Sequence, residues 1–139
     1  MSDSKPFRMA VKAVVFDAEH RCLVLRRSAA NHSFVGCWEW PGGKPDPGED
    51  LDTALRRELR EECGLEVDFL GLAGASEFQM PVGRIILLCL LARPTGGELR
   101  LSHEHDAFAW LPLAELAQRP ILEAMKPILK TLLERTDLP

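Results

Sequence analysis

A chain of 139 residues, 46% hydrophobic and 27% charged, is long enough to bury one core without disulfides or a structural metal, and a single domain over residues 1–139 is expected. Its net charge of −4 repels polyphosphates at long range, which argues against a nucleic-acid surface. Any phosphate chemistry must therefore recruit its own cations.

Cys22, Cys37, Cys63 and Cys89 are scattered with no C-x-x-C pair, which argues against zinc and thioredoxin-like chemistry. Met1 to Pro6 is polar and no cleavable apolar segment follows, so a cytoplasmic chain with reduced thiols is expected. The longest apolar run, Ile85 to Ala92, is too short to span a bilayer and reads as a buried strand.

In chain order, Met9 to Asp17 and Cys22 to Arg27 are apolar runs separated by the polar turn Ala18-Glu19-His20-Arg21, which predicts a hairpin. Ser28 to Gly36 reads as a loop, followed by a short strand around Trp38-Glu39-Trp40. Pro41-Gly42-Gly43, with Pro45, Pro47 and Gly48 behind it, interrupts regular structure. From Asp50 or Asp52 to Cys63 the pattern is helical, with Gly64 placed to end the helix. Strands are predicted at Glu66 to Leu72, Arg84 to Ala92 and Ala107 to Leu111, and Gly96-Gly97 reads as a tight turn into a short strand at Glu98 to Leu101. A helix from about Pro120 to Glu134 would bury Ile121, Leu122, Met125, Ile128, Leu129, Leu132 and Leu133. Mixed strands with two helices of unequal role predict an α+β fold or an α/β/α sandwich.

The helix at 50–63 carries the chemical signal. Glu62 lies one turn beyond Glu58, with Glu61 just to the other side, so three carboxylates crowd one stripe beside the apolar stripe Leu51, Leu55 and Leu59. Like-charge neighbours cost a helix roughly 0.2–0.5 kcal/mol per pair, which pairing of Arg57 or Arg60 with Glu61 would offset only in part. A solvated charged face is one reading. The other is a seat for divalent cations, since hard oxygen ligands suit Mg²⁺ and Mn²⁺. Gly42 and Gly43 just upstream allow a close backbone approach and carbonyl ligation.

The run Gly43-Lys44-Pro45-Asp46-Pro47-Gly48-Glu49, seven further residues, then Arg57-Glu58-Leu59-Arg60-Glu61-Glu62-Cys63-Gly64-Leu65 resembles a complete Nudix box, with every fixed position present. Trp38-Glu39-Trp40-Pro41-Gly42-Gly43-Lys44 resembles the lead-in of MutT-like members of that family, which hydrolyse nucleoside triphosphates to monophosphates. The resemblance implies the Nudix α/β/α sandwich, with the box (43–65) as a loop-helix-loop beside a mixed sheet. It implies an Mg²⁺-dependent (or Mn²⁺-dependent) hydrolase of a phosphoanhydride bond in a nucleoside diphosphate derivative. The partner is then a small nucleotide, not nucleic acid or membrane; oligomeric state cannot be read from the sequence, a homodimer being one option because many relatives are dimers.

By the same resemblance, Glu58, Glu61 and Glu62 share metal binding and base duty, the Gly42 carbonyl completes the metal shell, and Arg57 orients a glutamate. Glu49 is expected to anchor the loop or support the ligands from behind, the alternative being a part in a bridged metal site. Glu104, within Ser102-His103-Glu104-His105-Asp106, matches a loop glutamate that binds metal or acts as the base, against the plainer reading of an exposed loop acid. A zinc site of His103, Glu104 and His105 is disfavoured because alternation splays the imidazoles. Arg27 and His32 have the spacing seen near the substrate pocket, with Arg26 as the alternative, and Gly43 and Lys44 join them as substrate-binding residues. Trp38 and Trp40 read as core or rim packing, the alternative being stacking on a base.

The lead-in implies a nucleoside triphosphate, oxidised ones such as 8-oxo-dGTP included. Pro81, sixteen residues beyond Leu65, resembles instead a proline marker of some ADP-ribose hydrolases. Arg119-Pro120-Ile121-Leu122 lacks the asparagine with which MutT-type enzymes read oxidised guanine. Nucleotide sugars therefore stand as the alternative substrate class, and a non-catalytic nucleotide-binding module as the alternative class of function.

Overall fold

The computed structural model describes residues 7–81 and 83–139. Strand β1 (Phe7–Val15) lies between β4 (Gly42–Gly43), antiparallel, and β6 (Gly83–Gly97), parallel, and β6 pairs in turn with β5 (Leu65–Met80). The resulting sheet order is β4-β1-β6-β5. A parallel partner and burial on both faces explain why β1 and the centre of β6 read as continuous apolar runs rather than as alternating patterns. A second sheet, ordered β3-β2-β7, comprises β2 (Cys22–Arg27), β3 (Trp38–Glu39) and β7 (His105–Leu111).

Helix α1 (Leu51–Cys63) packs Ala54, Leu55, Leu59 and Cys63 against Val11, Ala13 and Val15 of β1 and Leu23 and Leu25 of β2. On the opposite side, α3 (Lys126–Glu134) sets Ile128, Leu129 and Leu132 with Val14, Leu87, Cys89 and Leu91. Two helical layers enclosing mixed strands make the α/β/α sandwich. Among the described residues no helix is long and apolar enough to cross a membrane. All four cysteines are free, and burial pushes the thiols of Cys22 and Cys63 up to about 11 and that of Cys89 to about 12, so these three act as packing groups.

Local signals placed α1 correctly. The Asp50 side chain accepts from the Thr53 N–H at 2.7 Å at the start of the helix. Gly64 ends it at φ 76°, its N–H donating to the carbonyls of Leu59 and Arg60.

The expected hairpin of the first two strands is not formed. The turn itself exists, held by the Asp17 carboxylate accepting from the N–H groups of Glu19 and Arg21, but only Phe16 and Cys22 bridge across it. Each strand then leaves for a different sheet, because each finds a longer partner, β1 with β6 and β2 with β7.

The turn and strand expected at Gly96–Leu101 are also corrected. β6 runs through the glycine pair, with Gly96 opposite Glu66 and Gly97 opposite Leu65, and 98–101 is irregular. That segment supplies the donors that the end of α1 lacks: Arg100 N–H to the Cys63 carbonyl (3.0 Å) and Ser102 N–H to the Glu62 carbonyl (3.2 Å). β5 is far longer than the predicted 66–72 because three register shifts carry it past its glycines.

The C-terminal helix begins later than expected. A short α2 (Leu113–Leu116) precedes it, and Pro120–Ile121 is drawn off to the second sheet, where Trp38 N–H donates to the Pro120 carbonyl and Trp38 bridges Ile121. A single 3₁₀ turn at Glu123–Met125 then leads into α3. Leu133, assigned to the buried face, is 46% exposed.

Gly64 offers a test of this packing. A Cβ there would meet the Glu98 carbonyl oxygen at 2.3 Å, whereas at Gly48 (φ 82°) it would enter open space. Gly64→Ala should lower the urea-unfolding free energy by more than ~1 kcal/mol, with Gly48→Ala costing less. Equal losses would show that backbone conformation alone, and not the close approach of residue 98, sets the requirement.

Candidate active site

Arg57 organises the acidic helix. Its guanidinium donates to both oxygens of Glu49 (2.8 and 2.9 Å), to Glu58 (3.1 Å), to Glu61 (3.1 Å) and to the Lys44 carbonyl (3.3 Å). The expected Arg57–Glu61 pair is present, whereas Arg60 turns to Glu66 at 3.9 Å. Glu49 anchors the loop: one oxygen also accepts from the Asp46 N–H at 2.9 Å, and hydrogen bonds from Arg57 and Asp46 bring its carboxyl down to about 2.

Beside this anchor opens a cleft of about 620 Å³. Its acidic end holds Glu58, Glu62 and Glu104, with Gly42, Gly43 and Lys44 alongside. The apolar end is walled by Ala10, Phe78, Ile85, Leu87, Leu122 and Ala124. The β4 glycines serve the protein more than a ligand. A Cβ on Gly42 would meet the Val11 carbonyl oxygen at 2.0 Å, and one on Gly43 would meet the Glu58 carboxyl carbon at 2.5 Å.

Burial pushes the Glu62 carboxyl up to about 8, with the charges of Glu39 and Glu58 adding to the effect, while Lys12 and the Gly42 N–H (2.9 Å) draw it back. Burial likewise raises Glu58, against the opposing pull of Arg57 and with help from Glu61 and Glu104. These are carboxylates whose negative charge is incompletely met.

The sequence placed most of these groups but missed a buried ionic cluster in the floor of the cleft. Glu39 receives Lys12 Nζ (3.0 Å), Arg27 Nη1 (3.0 Å) and His105 Nε2 (2.8 Å). Because the carboxylate only accepts, Nε2 of His105 carries the proton. Burial alone pushes Glu39 upward, but Lys12, His105 and Arg27 outweigh it and hold the group well below the usual carboxylate range. The signal available beforehand was a lone Lys12 inside an apolar strand, a position that burial forbids without a partner.

Of the remaining predicted residues, Arg27 lines the cleft but is tied to Glu39 and to the Ser33 carbonyl. Arg26 turns away to Asp106 at 2.7 Å. His32 and Glu61 are both exposed and neither is among the cleft-lining residues, Glu61 being held by Arg57. Glu104 faces the cleft while its carbonyl accepts from Ser28 N–H and Asn31 Nδ2. Trp38 and Trp40 are buried in the core, which removes them as stacking surfaces, whereas Phe34, on the 28–36 loop, does line the cleft. His105 is committed to Glu39 rather than to a zinc site with His103.

Among the described residues no three His, Cys, Asp or Glu side chains form a ready metal cage. The donor set nonetheless fits a hard cation. It is all oxygen, it is spread around a cleft, and its charge is unmet. Mg²⁺ keeps several waters and takes only one or two carboxylates beside substrate phosphates.

The NUDIX domain profile matches residues 6–132. The chain belongs to the Nudix family, as a pyrophosphohydrolase. It is 36% identical over 120 residues to the CTP pyrophosphohydrolase of Escherichia coli K12, covering 86% of this chain and 87% of that one. Similarity at 36% over 110 residues links it to human 8-oxo-dGDP phosphatase, of which it spans 32%. Among solved structures, the MutT protein of Methanosarcina mazei Go1 superposes with a TM-score of 0.84 at 26% identity, covering 94% of this chain and 96% of that one.

The Glu39 cluster makes a signed prediction. Its carboxyl titrates lower folded than unfolded, so its stabilisation is fully present above about pH 4.5 and is lost as pH falls below that toward the depressed folded value. Glu39→Gln should lose ~3–5 kcal/mol at pH 7, because Lys12 and Arg27 are left uncompensated. In thermal melts the deficit should stay level from pH 7 to about 4.5 and narrow only as pH falls further below that value, and a deficit unchanged below about pH 4 would assign the loss to packing instead.

Proposed function

We propose that this enzyme hydrolyses a nucleoside triphosphate to the monophosphate and pyrophosphate in an Mg²⁺-dependent reaction. The observation that carries this is one cleft of about 620 Å³ lined by two chemically opposite sets of residues: the acidic Glu58, Glu62 and Glu104, and the apolar Ala10, Phe78, Ile85, Leu87, Leu122 and Ala124. A base fits the apolar set and a metal-bound phosphate chain the acidic set. Similarity to a CTP pyrophosphohydrolase supports the triphosphate class over nucleotide sugars.

Glu61, Glu62 and Glu104, with the Gly42 carbonyl, would hold Mg²⁺ or Mn²⁺, which leaves Glu58 for the proton. When bound, the ion neutralises phosphate oxygens and acidifies a water. Glu58 would take the proton of the attacking water. It sits on a rigid helix, Arg57 fixes one of its oxygens, and burial raises its proton affinity toward the working range of a base. Lys44, exposed at the mouth, meets the outer phosphates, and Gly43 leaves room for the Glu58 carboxyl.

Two measurements test this reading. In a panel of nucleoside triphosphates, nucleotide sugars and dinucleoside polyphosphates with Mg²⁺, triphosphates should turn over best and yield pyrophosphate. Chelation should abolish the reaction. Release of monophosphates from ADP-ribose as the dominant activity would overturn the assignment.

For the base, Glu58→Gln should slow single turnover by ~10²–10⁴-fold with metal affinity largely kept. Glu61→Gln and Glu62→Gln should lose most activity through weakened metal binding, with the metal-free fold no less stable. If Glu58→Gln loses metal and only Glu104→Gln loses the chemical step, the loop glutamate is the base.

A further inference from the structure

Lys12 occupies a position that the reading above does not use. Its side chain leaves the same face of β1 as Ala10 and emerges in the cleft floor, between the apolar walls and Glu62. An ammonium has three N–H donors and no acceptor. Two are taken, by Glu39 Oε1 and the Trp40 carbonyl, both at 3.0 Å. The third has no partner among the described residues.

The other basic groups lining the cleft are placed differently. Arg27 is engaged by Glu39 and the Ser33 carbonyl, and Lys44 is exposed at the mouth. At the junction with the apolar end, the side-chain donor is therefore Lys12. Phe78, Leu122, Ala10 and Leu87 line the same cleft as that ammonium and offer a planar base its apolar walls.

We propose that Lys12 is a specificity-determining residue that reads the nucleobase edge, accepting an oxo group and rejecting an exocyclic amine. The proposal rests on the nucleotide reading of the cleft. Its physical basis is the one-sidedness of the ammonium, which complements a carbonyl oxygen but opposes an amine N–H with its own N–H. Glu39 and Trp40 fix the group, so it cannot swing aside to admit the amine. Sites built on a buried hydrogen-bonding group discriminate strongly, because the wrong ligand leaves that group unpaired.

The test compares pairs that differ between oxo and amino at one edge position, UTP with CTP and ITP with ATP, with Mg²⁺ in excess. Wild-type kcat/KM should favour the oxo member by ~10–100-fold in each pair. Lys12→Met should bring the ratio to within about threefold, and Lys12→Gln, which presents donor and acceptor alike, should relax it similarly.

A wild-type preference for the amino members overturns the proposal without any variant. So does a uniform loss on all four substrates with the ratio kept, which would reduce Lys12 to a prop for Glu39. Should wild-type enzyme turn over none of the four while cleaving a nucleotide sugar, the triphosphate reading falls as well, a different result from an unchanged ratio.

Discussion

Arg57 is the interaction on which the acidic site depends. Its planar fork reaches Glu49, Glu58, Glu61 and the Lys44 carbonyl at once, joining the loop at 43–49 to a helix that begins only at Leu51. A lysine offers a point charge and cannot span these partners. The spacing between Glu49 and Arg57 is therefore a mechanical requirement: without the fork, Glu58 and Glu61 repel across one helical turn and the loop loses its tether.

Two glutamates in one cleft are pushed in opposite directions. Glu39 is ringed by Lys12, Arg27 and His105 and stays ionised, as a fixed anion that holds its cations in place. Glu62 is as deeply buried but receives one backbone N–H and only the more distant field of Lys12, so its charged form is disfavoured up to about pH 8. The same side chain thus performs a structural task in one place and, on the proposed reading, would meet a cation in the other. Neighbours, not burial, decide which.

What was legible in the sequence follows the range of the interactions. Helix α1 was placed from Asp50 and Gly64 because capping acts over three or four residues. The acidic stripe was placed because helical spacing puts 58, 61 and 62 together without reference to the rest of the fold. Strand pairing is not local in this sense. The apolar run at 9–17 has no local mark to say that it pairs with 84–92 rather than with 22–27, and Gly96-Gly97 looks like a turn until Leu65 and Glu66 are set opposite. The Glu39 cluster joins positions 12, 27, 39 and 105 across both sheets, so only the assembled fold reveals it. His32 rests on another kind of signal: its spacing from Arg27 is a resemblance and not a local constraint, and the residue is exposed and outside those that line the cleft.

The same division separates the reaction from its selectivity. Apart from Glu104, the groups assigned to the chemistry lie within residues 42–62, where one loop and one helix fix their geometry. The walls assigned to the base come from four distant segments: 10–12 of β1, 78–80 of β5, 85–87 of β6 and 122–124 before α3. On β1, Val11 packs toward α1 while its neighbours Ala10 and Lys12 face the cleft. Alternation along a strand therefore lets a cleft position change without disturbing the residue beside it that holds the helix. Lys12 is the telling case, because a charge at that position required Glu39 and the Trp40 carbonyl to accept it, while Val11 beside it keeps its packing on α1.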